Sequence, residues 1–177
     1  CMMLVLAVTA LAGCGSNSAQ KEESKKIVVG LDDSFPPMGF KDEKNEIVGF
    51  DIDLAKEVAK RLGREVEFKA IDWSSKEAEL QSGRVDVLWN GLDITEKRKE
   101  NMLFSEPYMD NRQIIFVVKG NPAGIKDEAT LAGKTVGTQS GSTTEEYLDK
   151  NAAFKASLKE AKMYPDFINA FMDLENG

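Results

Sequence analysis

The chain has 177 residues, of which 42% are hydrophobic, and its formal net charge is −7. That length and apolar content are sufficient for one ordinary core or two small lobes. The chain has no histidine and no long basic run, which argues against nucleic-acid binding. The lack of histidine also excludes histidine-ligated metal sites and Ser-His-Asp triads. We expect neither a metal nor a cofactor.

The N-terminus has the pattern of a targeting segment. Residues 2–11 are mostly apolar, and Leu11-Ala12-Gly13-Cys14 follows directly. Small residues before a cleavage point are typical of a secretory signal peptide, and the apolar run is too short to span a bilayer. The alternative, a buried N-terminal helix, is disfavoured because such a helix would carry polar residues on one face. We therefore assign residues 1–13 to a signal peptide, a partial one because the chain opens with Cys1 and lacks the basic start.

Residues 14–26 are predicted to form a lipidated cysteine and a flexible tether. Residues 15–26 are small, polar and charged, a composition typical of a linker. The Leu-Ala-Gly-Cys order resembles the lipobox of bacterial lipoproteins, which implies that Cys14 is lipidated. Two attached acyl chains would suffice for stable anchoring at the extracytoplasmic face of the cell membrane.

Strand and helix patterns alternate through the first half of the chain. The first helix has apolar residues at helical spacing, with Asp51 predicted to cap it and Gly63 to end it. The alternation predicts a parallel α/β sheet with right-handed crossovers. Strands are predicted over residues 27–31, 66–70 and 85–89, a hairpin turn over residues 42–45, and helices over residues 51–62 and 74–82.

A second cycle of strands and helices starts near residue 113. Ser142 followed by Glu145 is a capping signature for one of its helices. Strands are predicted over residues 113–118, 135–137 and 161–164, and helices from residue 141 and over residues 166–176. We accordingly divide the body of the chain into lobe 1, residues 27–112, and lobe 2, residues 113–177.

The most informative segment is residues 85–98, in which a buried strand runs into a polar turn that ends on Arg98. Small ligands bind just beyond the carboxyl ends of strands in open α/β sheets. Asp93 could hold an ammonium there, and the Arg98 guanidinium could bind a carboxylate through two parallel hydrogen bonds. Together these groups suit a free α-amino acid, although alone Arg98 could be a solvated charge, and Asp93 and Thr95 could be helix caps.

Three further features point to the same edge of the sheet. Phe35 and Trp73 each follow a predicted strand, where aromatic rings can form pocket walls, although either ring alone could belong to the core. Residues 141–143 could be only a helix start, but such a start also offers backbone N–H groups to an anion.

Taken together, six segments resemble the extracytoplasmic solute-binding proteins of polar amino acid ABC transporters. The resemblance implies a type II periplasmic-binding-protein-like α/β fold, in which two lobes, each with a central sheet flanked by helices, close over the ligand by a hinge. The family continues beyond the point where this chain stops, so lobe 2 is expected to be incomplete. The matching segments are residues 30–37, 49–55, 91–98, 104–108, 131–134 and 137–143.

The resemblance also implies how an amino acid would be held. Arg98 would bind the α-carboxylate together with Ser142 and Thr143, while the Asn90 carbonyl and the Asp93 carboxylate would hold the α-ammonium. Many relatives carry Ser or Thr in place of Asp93, so this carboxylate could favour a cationic ligand or could serve the α-ammonium alone. The full set of ligand-binding residues implied by the resemblance is Asp32, Phe35, Trp73, Asn90, Gly91, Asp93, Arg98, Gln139, Ser142 and Thr143.

The function implied is that of a monomeric, lipid-anchored receptor that delivers a free amino acid to an ABC permease and its ATPase. Two alternatives use the same fold: a secreted enzyme, such as a dehydratase of aromatic amino acid precursors, and a ligand-sensing domain. An enzyme would need a general acid placed against its substrate. Asp32, Asp93 and Glu96 could be proposed, but no paired acid–base arrangement is evident, and we expect no catalytic residue.

Overall fold

A computed structural model describes residues 26–177 of the chain. The predicted signal peptide, the lipidated Cys14 and nearly all of the tether lie outside the described residues. The elements in chain order are β1 (Lys26–Leu31), β2 (Ser34–Phe35), β3 (Gly39–Lys41), β4 (Ile47–Val48), α1 (Phe50–Arg61), β5 (Glu65–Ala70), α2 (Lys76–Gln81), β6 (Val87–Leu88), α3 (Glu96–Lys99), β7 (Thr135–Gln139), α4 (Thr143–Lys150), α5 (Ala152–Ser157), β8 (Glu160–Tyr164) and α6 (Phe167–Asn176).

The first sheet has the strand order β5-β1-β6, and all of its strand pairs are parallel, as the strand–helix alternation predicted. Val29 in the central strand pairs with Phe68 on one side and Val87 on the other. The buried side chains Leu31, Ile52 and Val85 belong to its core. A small antiparallel sheet, β2-β3-β4, contains the predicted hairpin turn.

The second sheet pairs β7 with β8 in parallel, with Thr135 opposite Glu160 at its start. Its core is a separate cluster formed by Leu131, Leu148 and Leu158. Two sheets with their own cores fit the predicted two-lobe architecture, and the boundary between residues 112 and 113 stays a prediction. None of the helices within residues 26–177 has the length and hydrophobicity needed to cross a bilayer.

The predicted start of α1 was wrong. The helix begins at Phe50 with Gly49 at its N-cap position, and the Asp51 side chain does not cap it. Gly49 has φ +132°, and a Cβ there would lie 2.4 Å from the Met38 carbonyl oxygen, so the chain enters the helix through a glycine. Asp51 instead points into the protein, where it is fully buried.

The predicted strand over residues 113–118 was also wrong. The structure assigns no strand to these residues, and Ile114, Ile115 and Phe116 are exposed. Apolar and β-branched residues favour a strand only where a neighbouring strand completes the ladder and covers one face. Among the described residues no strand pairs with this segment.

Smaller differences concern the ends of elements. The predicted helix over residues 74–82 starts with a 3₁₀ turn, Trp73–Ser75, before α2, and the predicted strand over residues 85–89 shortens to β6. Helix α5 was not predicted. It follows α4 after a break at Asn151, which has φ −111° and ψ 62°.

Candidate functional site

The carboxyl ends of β1, β6 and β7 meet at one small cleft with a cavity volume of about 40 Å³. The structure brings all ten predicted ligand-binding residues to this cleft. The lining residues are Asp32, Phe35, Trp73, Asn90, Gly91, Asp93, Arg98, Asn111, Gln113, Gln139, Ser142, Thr143 and Phe167.

Arg98 is the central cation of the cleft and is only 2% exposed. It lies in α3, whose N-cap Thr95 accepts a hydrogen bond from the Arg98 backbone N–H at 3.3 Å. Its Nη1 donates to the Asp93 carbonyl at 3.0 Å and its Nη2 to the Gly141 carbonyl at 3.2 Å. Nη2 also forms an ion pair with Glu146 at 2.8 Å. The guanidinium is therefore fixed by both sides of the cleft and is not a solvated surface charge.

The Asp93 carboxylate also lines the cleft and accepts hydrogen bonds from three side chains. Thr143 Oγ1 donates to it at 2.6 Å, Asn111 Nδ2 at 2.5 Å and Gln113 Nε2 at 3.4 Å. Thr95, not Asp93, caps the following helix, so this carboxylate is free to face the cleft.

A second polar contact crosses the cleft between β1 and β7. Gln139 Nε2 donates to Asp32 Oδ2 at 2.7 Å, and both side chains are buried. Burial raises the pKa of the Asp32 carboxyl, while hydrogen bonds from the Ser34 backbone and from Gln139 oppose the rise. Asp32 thus ties the first sheet to the second at the edge of the site.

The start of α4 has the capping arrangement that the sequence predicted. Ser142 is its N-cap and accepts a hydrogen bond from the Glu145 backbone N–H at 3.2 Å. Gly141 N donates to Glu145 Oε2 at 2.6 Å, which closes the capping arrangement. Helix N-termini of this kind favour anions through their free N–H groups and the helix dipole.

Aromatic rings form the remaining walls. Trp73 is buried, at 7% exposure, and also lines the cleft, so the core and pocket alternatives for this residue are both partly right. Phe35 packs against Phe167 with ring centroids 5.8 Å apart. Phe167 was not predicted because it lies at the start of α6, far along the chain, where its apolar character indicated only a helix face.

Behind the cleft, Asp51 holds the loop that carries Asn90 and Gly91. Its Oδ2 accepts from the Gly91 N–H at 2.9 Å, and its Oδ1 accepts from the Tyr108 hydroxyl at 2.8 Å. Burial raises the pKa of both Asp51 and Tyr108. Gly91 has φ +60°, so the carboxylate stabilises a backbone turn that suits glycine. Asn90 is 2% exposed, and its side chain has no hydrogen-bond partner within residues 26–177.

Replacing Asp51 by asparagine should lower the free energy of unfolding by about 1–3 kcal/mol. An amide has one acceptor oxygen, which can serve the Gly91 N–H, but its NH₂ group cannot accept from the Tyr108 hydroxyl. The charge-assisted hydrogen bond from that hydroxyl would therefore be lost. Denaturant unfolding measures the change. Asp53→Asn is the matched control, because Asp53 lies in the same helical turn but is exposed. An equal effect of the two substitutions would contradict the role given to Asp51.

In chemical terms, the cleft combines a buried guanidinium and a helix N-terminus with the carboxylates of Asp32 and Asp93. Groups of both charges match a zwitterion, because both of its charged groups must find partners when water is expelled. Within residues 26–177, no group of acidic or cysteine side chains is arranged to hold a metal ion.

The comparison with protein families agrees with this geometry. The sequence pattern of the bacterial extracellular solute-binding proteins, family 3, matches residues 27–173. The L-cystine-binding protein TcyJ of Escherichia coli (strain K12) is 33% identical over 183 residues, which cover 99% of this chain and 67% of the relative. The arginine-binding extracellular protein ArtP of Bacillus subtilis (strain 168) is 39% identical over 138 residues, which cover 77% and 53%. The chain thus spans between half and two thirds of the length of these relatives.

Solved structures show the same fold. The substrate-binding protein of an ABC uptake transporter from Streptococcus pneumoniae, with bound histidine, matches with a TM-score of 0.81 and 40% identity over 86% of this chain and 62% of that chain. An ancestral amino acid-binding protein described as a precursor of cyclohexadienyl dehydratase matches with a TM-score of 0.79 and 35% identity, over 86% of this chain and 66% of that chain. The chain has the type II periplasmic-binding-protein-like fold, and it belongs to family 3 of the bacterial extracellular solute-binding proteins.

Proposed function

We propose that this protein is the extracytoplasmic receptor of an ABC importer and that it binds a free polar amino acid in the cleft around Arg98. The observation that carries the proposal is the buried Arg98 guanidinium, which shares the cleft with the Asp93 carboxylate. Arg98 with the N-terminus of α4 would bind the α-carboxylate. Asp93 with the Asn90 carbonyl would bind the α-ammonium.

The charge of the cleft favours a ligand with a cationic side chain. Asp32 lies at the edge of the cleft, so a positive side chain could pair with it while Asp93 serves the α-ammonium. The names of the relatives agree with a polar ligand, since they refer to L-cystine, arginine and histidine. Phe35 and Trp73 would cover the aliphatic part of such a side chain.

The cellular part of the proposal rests on the N-terminal sequence and on the family. Cys14 in the Leu-Ala-Gly-Cys motif would carry the lipid anchor that holds a monomeric receptor at the extracytoplasmic face of the membrane. The permease would recognise the form closed over the ligand, and its ATPase would drive import.

A thermal-shift screen of the purified protein against the twenty amino acids and cystine tests the proposal. A ligand at about 100 times its dissociation constant should add about 2.7 kcal/mol to the free energy of unfolding. A shift with one or a few amino acids would support the receptor and identify the ligand. If none of them shifts the transition, the proposal falls, and turnover of a prephenate-type substrate becomes the next test.

Replacing Trp73 by alanine should weaken amino acid binding by about 1–3 kcal/mol, if the ring lies against the ligand. Isothermal titration calorimetry measures the loss, and the thermal midpoint of the ligand-free variant is recorded beside it. Unchanged affinity with a lowered midpoint would show that Trp73 serves only the core.

A further inference from the structure

Lys76 carries a buried charge that takes no part in the proposed ligand contacts. It is the first residue of α2 and is 3% exposed. Its Nζ donates to the Gly141 carbonyl at 2.8 Å and to the Trp73 carbonyl at 3.2 Å, and it lies 5.2 Å from the centroid of the Trp73 ring. Lysine is almost never fully buried unless it has partners, so these contacts indicate a specific role.

The Lys76 contact lies beside the cleft, where two backbone segments approach each other closely. Gly141 has φ +74°, and a Cβ there would lie 2.8 Å from the Ser74 Cα and 3.0 Å from the Trp73 carbonyl oxygen. The carbonyl oxygens of Trp73 and Gly141 both point at the Lys76 ammonium. The ammonium thus bridges two backbone segments whose carbonyl groups would otherwise repel each other.

Lys76 is also a second cation next to Arg98. The Gly141 carbonyl accepts from both side chains, with Arg98 Nη2 at 3.2 Å. Burial, and then the neighbouring Arg98, lower the pKa of Lys76 to about 8, while Glu77, Glu145 and Glu146 oppose that shift. The hydrogen bonds of its ammonium go to the backbone carbonyls of Trp73 and Gly141, while the three glutamates act on it through their charge.

We propose that Lys76 is a positioning residue of the amino acid site, an inference that rests on the proposed function. Its ammonium holds Gly141 against Trp73, and Gly141 directly precedes Ser142 and Thr143 at the N-terminus of α4. Lys76 thereby fixes the anion-binding N–H groups next to Arg98 and adds positive potential where the ligand carboxylate binds. It also keeps the Trp73 ring in place as a wall of the cleft.

Lys76→Met tests this role, because methionine keeps most of the aliphatic volume but lacks the ammonium. Loss of a charge-assisted hydrogen bond should raise the dissociation constant of the amino acid found in the screen by about 10- to 100-fold. The increase should appear mainly in the dissociation rate, because most effects of single substitutions on affinity do. Lys97→Met is the matched control, because Lys97 is an exposed neighbour of Arg98 and should leave binding unchanged.

The possible outcomes separate this inference from the proposed function. If the wild-type protein binds no amino acid, both fall. If the wild type binds and Lys76→Met binds within twofold of it, the role of Lys76 is overturned while the proposed function stands. The same conclusion follows if Lys97→Met loses as much affinity as Lys76→Met.

A second measurement does not depend on the folding of a variant. An amine-reactive acylating reagent, followed by mass spectrometry of the wild-type protein, reports the accessibility of each lysine. Lys76, which is 3% exposed, should be labelled far more slowly than the exposed Lys97. Labelling of Lys76 as fast as that of Lys97 would show that the ammonium is not held in these contacts.

Discussion

Replacing Arg98 by alanine should weaken amino acid binding by about 2–5 kcal/mol, which corresponds to a roughly 30- to several-thousand-fold rise in the dissociation constant. The ligand carboxylate would lose its bidentate partner in a buried cleft. Glu146, whose side chain is 18% exposed and which pairs with Arg98 at 2.8 Å, would at the same time lose its cation. Calorimetric titration with the ligand from the screen measures the effect.

Two companion variants make the Arg98 result interpretable. Arg98→Lys keeps the positive charge but loses the planar guanidinium that forms two parallel hydrogen bonds. It should therefore fold normally but bind the amino acid more weakly than the wild type does. Arg61→Ala removes an arginine whose side chain is 78% exposed and should bind like the wild type. Wild-type affinity in Arg98→Ala would remove Arg98 from the site and with it the main support for the proposed function.

Replacing Gly141 by alanine should weaken binding by about 1–3 kcal/mol, the usual effect of overpacking. The new Cβ would meet the Ser74 Cα at 2.8 Å and the Trp73 carbonyl oxygen at 3.0 Å. Both are backbone atoms that cannot rotate away, so the two sides of the cleft would have to separate. The dissociation rate of the ligand, measured by stopped flow, should rise accordingly.

Gly133→Ala is the matched control for Gly141→Ala. Gly133 has φ +70°, close to the +74° of Gly141, but a Cβ there would meet no atom within 4 Å. Both variants carry the strain of a left-handed alanine, roughly 1–2 kcal/mol, so both should lower stability. If Gly133→Ala weakens binding as much as Gly141→Ala does, backbone strain and not the close approach explains the effect.

Much of the cleft was predictable because ligand-binding residues of an α/β protein follow its strands in the chain. Asp32 comes directly after β1, and residues 90–98 come after β6, so the sequence pattern and the family resemblance named them together. The parallel first sheet followed from local periodicity, since each strand and helix carries its own hydrophobic pattern.

The segment that follows α3 was predicted less well. Residues 113–118 have the composition of a strand, yet a strand exists only with a partner, and the composition of a segment does not reveal that partner. The same segment contributes Gln113, and nearby Asn111, to the cleft through hydrogen bonds to Asp93. In the sequence, a polar side chain within or beside an apolar run does not indicate that it lines a cleft.

The sequence by itself determined the fold class and the alternation of strands and helices in the first sheet, because these depend on periodicity along the chain. The ten cleft residues were implied by the motifs that carry the family resemblance. Only the tertiary structure decided the partners across the cleft. It paired Arg98 with Glu146, Asp32 with Gln139, and Lys76 with Gly141. These partners are 48, 107 and 65 residues apart in the chain, and contacts over such separations depend on how the two sheets pack, for which local sequence carries no signal.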